Sequence, residues 1–457
     1  MATPEQMIEL PEIPPTSRAL LTGFRAPVRA ESFETGPFGV TGVIPPGLEG
    51  IVMWVGPNPA IIDDPETYDP ADGDGMVHAL SITDGEVRSV RSRFIATRSM
   101  VERLGLRAPQ GPLAAAGPTA NTTLVRIANR IIALDGKGLG YRITTGLATA
   151  CVEDFDTMLT TPMGTATVVD PETGGAAFLG LDPEGPPHVR LHEVSGQGVL
   201  TVTTALPLGA TGATPGLGAT RSTIAVAESS LLGHVPQGDD DVRSDITFDP
   251  DRRPAVGLLP RGRPGSEITW CASSPGHIGD VLEMRDTADG AELVVVRSVP
   301  ERSDDPSWRP HRRVGSLEKL TVDGSRRSVT LDQLDDLVID GASSDAAELM
   351  EHRRHHYAAT ADGSMLVRYN STSGVAQRRE LPAELVASRP LFARDPEGRS
   401  DEEGWIIVPC FDRTSSLTTV LILDGTRFLG APQAIVTLPT RLPFDLTGLF
   451  VGAEAFR

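Results

Sequence analysis

The chain has 457 residues, 39% apolar and 22% charged, with 41 basic against 61 acidic side chains and a formal charge of −20. That composition fits a folded protein with a large core and excludes the low-hydrophobicity signature of disorder. With no long basic run to offset the negative field, nucleic acid and anionic membrane surfaces are poor partners.

The N-terminal 40 residues are rich in proline, and "MATPEQMIELPEIPPTSRALL" has neither the basic start nor the apolar core of a signal peptide. They are read as an extended arm, residues 1–40, lying across a single β-propeller domain of residues 41–457. No apolar run approaches the ~20 residues that a membrane-spanning helix needs. The three cysteines, Cys151, Cys271 and Cys410, have no CxxC spacing. A disulfide framework or zinc knuckle is therefore not expected, and the reading is a cytoplasmic protein with no integral membrane segment. The preference for Arg, Ala, Gly, Pro and Asp matches a GC-rich, actinobacterial style of genome.

From about residue 50 onward the chain repeats one pattern, a short apolar or alternating run closed by a glycine turn. The examples, in order, are "VHALSITDGEVRSVRSRF", "TATVVDPETGGAAFLG", "LEKLTVDGSRRSVTL", "YAATADGSMLVRY" and "TTVLILDGTRFLG". Glycine supplies the positive φ of a tight turn and β-branched residues flank it, which predicts antiparallel hairpins. Only "TRSMVERLGL" near residue 100 and "DAAELMEHRR" near residue 350 read as helices, both short. An all-β chain of this length must hide many sheet edges, and radial repetition of small sheets does so. The predicted fold is all-β, a propeller with loops on its faces.

The common catalytic signatures GxSxG, HExxH, GxGxxG and GxxxxGK[ST] are missing, and only Lys137 and Lys319 are available for Schiff-base chemistry. In "EHRRHHY", His352, His355 and His356 have helical metal spacing, but Arg353 and Arg354 among them would repel a cation. A solvated face or strand entry is expected there. "GDDDVRSD", residues 238–245, lacks the ligand alternation of a calcium loop and reads as solvated. In "PADGDGMVHAL", turn chemistry accounts for Asp72 and Asp74.

The segments "IPPGLEGIVMWVGPNP" and "YDPADGDGMVHALSITDGEVRSVRSRF" resemble the N-terminal signature of the carotenoid cleavage oxygenases, the retinal pigment epithelial membrane protein-like superfamily. The likeness continues through "TANTTLVRIANRIIAL", "DPETGG", "VGLLPR", "EEGWIIVPCFD" and "LPTRLPFDLTG". It implies a seven-bladed β-propeller with a loop and short-helix cap over one face. It also implies an apolar tunnel leading to Fe(II) held by four histidines, with three glutamates orienting some of them. That iron activates dioxygen to cleave an alkene in carotenoids, apocarotenoids or stilbenes, and a related branch isomerises and hydrolyses retinyl esters.

Carried over position by position, the first ligand falls at Ala166, or at Thr167 with one gap, and the second at Ser222. The third is His277 in "SPGHIGDVLE", six residues before Glu283, and the fourth becomes Thr447. The glutamate positions fall at Arg389, Thr419 and, loosely, near Gly136. Neutral methyl and hydroxyl groups are poor ligands for Fe(II), and an arginine beside the metal adds charge where an acceptor is needed. The resemblance thus implies a family member that has lost its iron, with no other cofactor.

The expected activity is a metal-independent enzyme of secondary metabolism acting on an apolar or polyene-like small molecule by cyclisation, isomerisation or elimination. His277 and Asp445 are the candidate proton-transfer residues. Ala166, Ser222, Arg389, Thr419 and Thr447 are candidate substrate contacts. The alternatives are a non-catalytic carrier of an apolar ligand, or an Fe(II) dioxygenase with ligands relocated to His78, His188, His192 or His234.

Overall fold

The computed structural model describes residues 8, 10–17, 21–69, 72–181, 188–208, 216–232, 247–299, 314–343 and 349–456. The chain divides into two compact units, one of residues 1–154 with 380–457 and one of residues 155–379.

The first unit contains three antiparallel sheets. In one, the strands run in the order Ser32–Thr35, Glu86–Phe94, Gly75–Thr83, Gly50–Pro57, Thr447–Gly452, so the last strand of the chain pairs with the third. Gly50 lies opposite Gly452 and Val55 opposite Thr447. The second is a meander from Thr123–Ile127 to Thr149–Glu153, and the third joins Gly39–Gly42, Ala434–Thr437, Thr418–Asp424 and Gly404–Asp412. Turn chemistry sets the register: Asp84 and Gly85 take φ of 54° and 69° between paired Thr83 and Glu86, the left-handed pair that a two-residue hairpin requires. The core holds Trp54, Leu80, Ile407 and Ile422, all essentially inaccessible. Each such side chain contributes about 1.5–3 kcal/mol on leaving water.

The second unit holds a four-stranded meander from Met163–Val169 to Leu200–Leu206 and an eleven-stranded sheet made of three sets. The first set runs from Gly216–Ala219 to Thr269–Ala272, the second from His277–Thr287 to Ser328–Ser343. The sixteen-residue strand Ser328–Ser343 also pairs with His355–Thr360, which begins the third set. Leu179, Leu191, Ile224, Val295 and Leu320 form its core.

The arm is more integrated than its composition suggests. Ser32–Thr35 and Gly39–Gly42 add edge strands to two sheets, so the boundary expected at residue 40 falls inside a strand. "TRSMVERLGL" supplies the helix Arg98–Leu104, with the Thr97 side chain accepting from the Met100 amide and Gly105 closing the end at φ 66°. Of the second helix candidate only a 3-10 turn, Met350–His352, forms among the described residues, and residues 344–348 lie outside them. "EHRRHHY" does enter a strand, but His355 and His356 are buried there, correcting the solvated-face expectation. The "TTVLILDGTRFLG" hairpin also differs: after Asp424 the chain makes a longer turn and re-enters the sheet only at Ala434. The acidic segment 238–245 lies outside the described residues.

Candidate functional site

In the first unit, the turn before the last strand and the arm build a cleft. Asp445 takes φ 60°, a left-handed backbone that aspartate tolerates better than most residues. The turn is held by the Leu442 amide, which donates to Thr418 Oγ1 at 2.8 Å, and by Arg441, which donates to the Phe24 carbonyl at 3.3 Å. The arm is pinned in turn by Asn58, whose side chain accepts from the Val28 amide at 2.7 Å and donates to its carbonyl at 2.9 Å. Phe24 and Phe444 meet edge to face at 4.6 Å, and the Arg25 guanidinium lies 5.4 Å from each ring. Arg25 Nη1 reaches Asp445 Oδ2 at 3.4 Å. Arg25, Asn58, Tyr68, Pro443, Phe444 and Asp445 line a shallow cleft, open on one side, with a cavity of only about 20 Å³. Burial, followed by the carboxylates of Asp69, Asp74, Asp72 and Asp445, pushes the Tyr68 phenol well above its usual range. It is a hydrogen-bond donor at any ordinary pH.

The other predicted positions of this unit are distributed around that turn. Thr447 opens the last strand, half-buried, and Arg389 is half-buried between Leu385–Ala387 and Leu391–Arg394. Thr419 is buried opposite Cys410 and Thr437. A second cavity is lined by Ser388, Thr418 and Leu446, the chain neighbours of these three residues, and their own side chains are not part of its lining. A one-residue offset along an extended chain turns the side chain to the opposite face. Cys410 also lines this cavity, but burial raises its thiol to about 12, so it is no nucleophile near neutrality. Gly136 sits in a turn held by Asp135, which accepts from the Thr119, Ala120 and Lys137 amides.

In the second unit, His277 is buried at the first position of His277–Thr287, with Nδ1 2.9 Å from Ser229 Oγ. Its neighbour Gly276 exchanges hydrogen bonds with Ser230, donating to its Oγ at 3.1 Å and accepting from its amide at 2.9 Å. Ser222 is exposed, and its hydroxyl donates to Asp286. Asp286 is nine residues along the strand that His277 begins. At ~3.3 Å per residue, Ser222 and His277 are about 25–30 Å apart, at opposite ends of that strand. Two ligands of one ion each lie ~2 Å from it, so these two positions cannot share a metal. This corrects the site expected from the sequence: one of the two does not occupy a ligand position. Ala166 is a half-buried methyl packed against the core, and Thr167 beside it turns its hydroxyl to the Gly164 carbonyl.

A buried polar cluster that the sequence reading left as a strand entry joins two strand sets of this unit. His356 is fully buried with Nε2 3.3 Å from Glu283 Oε2. The same carboxylate accepts from Ser371 and pairs with Arg285 at 2.5 Å. Burial lowers the His356 pKa against the opposing pull of Glu283. The neutral ring then carries its proton on Nε2 to satisfy the carboxylate. Elsewhere in the unit His192 has both ring nitrogens 3.0 Å from hydroxyls, those of Thr161 and Thr203. Among the described residues no three His, Cys, Asp or Glu side chains gather so as to hold a metal ion.

The described helices include none long and apolar enough to cross a membrane. The model of the retinal pigment epithelial membrane protein family matches residues 25–452. The carotenoid cleavage oxygenase of Mycobacterium tuberculosis H37Rv is 26% identical over 490 aligned positions, covering 94% of this chain and 96% of that protein. The apocarotenoid-15,15'-oxygenase of Synechocystis is 24% identical, over 90% of this chain and 91% of its own. The crystal structure of Pseudomonas brassicacearum lignostilbene dioxygenase superposes with a TM-score of 0.85 at 19% identity, covering 97% of this chain and all of that one. That likeness, with three sheets in one unit and a meander plus three strand sets in the other, bears out the β-propeller.

Proposed function

From the premise that this chain belongs to the retinal pigment epithelial membrane protein family, we propose that it acts on an apolar, conjugated small molecule by moving protons, without iron or dioxygen. The family's relatives are named for carotenoid, apocarotenoid and lignostilbene substrates. An apolar small molecule is therefore the class to expect, and the scaffold is that of an oxygenase.

What supports the proposal is the poor donor set at the positions carried over as iron ligands. Ala166 has no donor atom, and the Ser222 hydroxyl is neutral and engaged by Asp286. Thr447 offers only a neutral hydroxyl. Such a set offers one imidazole, His277, and no carboxylate, against the several imidazole and carboxylate donors that ferrous iron selects. Of the relocated ligands considered, His192 is held by two threonines, His78 is sealed in the core with its pKa driven down to about 3 by burial, and His234 lies outside the described residues. Without an oxidant the reaction is an isomerisation, cyclisation or elimination, for which a positioned carboxylate or imidazole suffices. Asp445 is assigned the proton transfer. His277, whose Nδ1 lies beside Ser229, is a separate candidate for proton transfer. Arg389, Thr419, Thr447, Ala166 and Ser222 remain candidate substrate contacts.

The test is to reconstitute the purified chain anaerobically with Fe(II), remove loose metal, and assay an apocarotenal and a hydroxystilbene in air. Substoichiometric iron and no cleavage aldehydes are expected. One iron per chain, with cleavage abolished by a chelator, would sink the proposal. Recovery of tightly bound but unaltered ligand from every candidate substrate would favour a carrier.

A further inference from the structure

His277 begins its strand inside a set of contacts that fix its backbone and one edge of its ring. Arg297, on the neighbouring strand opposite Ile278, is buried and held by Glu318, its Nη1 lying 3.2 Å from both carboxylate oxygens. Its Nη2 donates to the Pro275 carbonyl, and Gly276 lies against the guanidinium. A β-carbon on Gly276 would come within 2.4 Å of Nη2 and 2.6 Å of Cζ, so glycine lets the backbone approach this closely. Ser230 holds the same glycine, its Oγ accepting from the Gly276 amide at 3.1 Å and its amide donating to the Gly276 carbonyl at 2.9 Å. The two residues before His277 are thus clamped, and the imidazole is carried on fixed backbone.

The ring itself meets Ser229. That side chain is buried, and among the described residues its Oγ has two contacts: it accepts from the Leu231 amide at 2.9 Å and lies 2.9 Å from His277 Nδ1. A hydroxyl has one hydrogen and two lone pairs. The amide takes one lone pair, and Nδ1 is the acceptor that remains for the hydrogen. A hydrogen on Nδ1 would instead fill the second lone pair and leave the buried O–H with nothing to donate to, at the cost of a lost hydrogen bond. Hydrogen-bond accounting therefore sends the Ser229 hydrogen to Nδ1, and a neutral imidazole then carries its own hydrogen on Nε2.

That form has chemical consequences. An imidazole that binds a metal through Nε2 keeps its hydrogen on Nδ1 and gives it to an acceptor such as a carboxylate or a carbonyl. Ser229 supplies the opposite, a donor. A base acting through Nε2 needs the same lone pair that a metal would take. A neutral imidazole with its hydrogen on Nε2 can instead polarise an acceptor oxygen on which charge develops.

We propose that Ser229 is a positioning residue that holds His277 in the neutral Nε2–H form, on backbone fixed by Arg297 and Ser230. In that form His277 serves a bound molecule as a hydrogen-bond donor to an acceptor oxygen, and neither as a base nor as a ligand to Fe(II). The donor role rests on the non-oxidative function proposed above, and the position of the hydrogen does not.

The test is a two-bond proton–nitrogen spectrum of the full chain, labelled with ¹⁵N at its nine histidines and stripped of metal, at a pH where the rings are neutral. The His277 signals are identified by their loss in His277→Gln. The wild type is expected to show hydrogen on Nε2 and a hydrogen-bonded lone pair on Nδ1. Ser229→Ala should lower the ratio of Nε2–H to Nδ1–H forms about tenfold, and Ser229→Thr, which keeps the hydroxyl, should restore it. Arg297→Lys keeps a charge beside Glu318 but loses the planar group under Gly276, so it disturbs the clamp without touching the Ser229 hydrogen. Its ratio should stay within about twofold of wild type. Hydrogen on Nδ1 in the wild type would overturn the proposal on its own, even if the variants fail to fold. A ratio unchanged in Ser229→Ala, or lowered as much by Arg297→Lys, would overturn the part given to Ser229. One iron per chain in the reconstitution test, with Nε2–H in the stripped chain, would sink the iron-free function and leave the position of the hydrogen standing.

Discussion

A buried polar cluster of the second unit and the cleft of the first are built in opposite ways. In the second, Glu283 is closed off by His356, Ser371 and Arg285, and His192 by two threonines. In the first, Arg25 and Asp445 meet through one long contact beside an open cleft. The same polar residue types hold strand sets together in one place and leave donors available in the other. A buried group that lacks a partner carries its full desolvation cost, whereas a half-exposed one borrows water until a ligand displaces it. The engaged network around Glu283 thus reads as structural, and the Arg25 guanidinium, with one long contact beside a cleft, as a candidate site group.

That contrast has measurable consequences. Glu283→Ala strands the His356 N–H and leaves Arg285 without its carboxylate, so urea denaturation should show a loss of about 3 kcal/mol. A loss as large from Asp445→Asn would erase the distinction between the units. Acid should act through both units, because burial holds His78 near 3 and His192, helped by Arg190, near 4. These depressed values mean that the unfolded chain takes up protons first. The contribution is complete above pH ~6.5 and is lost as pH falls towards the folded values, by about 2 kcal/mol per histidine between pH 6.5 and 5. Unfolding curves across that range should slope accordingly, with His78→Gln removing one share, and a flat profile would contradict the buried neutral state. Ser229→Ala, which takes the partner from His277 Nδ1, should cost about 1 kcal/mol. Asp445→Asn should fall within about 0.5 kcal/mol of wild type, as expected for a half-exposed pair. Ser229→Ala tracking Asp445→Asn in a melting series would show that His277 is not locked as its hydrogen bond implies.

Much of the fold was legible because hairpins are local. Asp84–Gly85 sets both the turn and the register of the strands around it, and the same logic found the strands flanking "DPETGG" and "ADGS". It failed at "LDGTRFLG", where an Asp-Gly pair opens a longer turn, because a dipeptide specifies a bend but not where pairing resumes. The site was legible only in part. Asp445 could be placed from its spacing to Thr447, but Arg25 sits in a proline-rich arm whose composition carries no pairing signal. His356 was hidden among arginines that looked solvated. Ser222 and His277 were brought together by motif spacing although a strand's length separates them.

The amino-acid sequence by itself determined the strand pattern, the turns and the family, since each rests on neighbouring residues whose side-chain alternation and backbone preferences act within a few positions. The partners of the polar groups were decided only in the tertiary structure. Arg25 meets Asp445 across 420 positions of chain, and Glu283 meets His356 across 73. Contacts at such separations depend on how whole sheets pack, and the geometry of that packing determines whether a charged side chain is closed off or left facing a cleft.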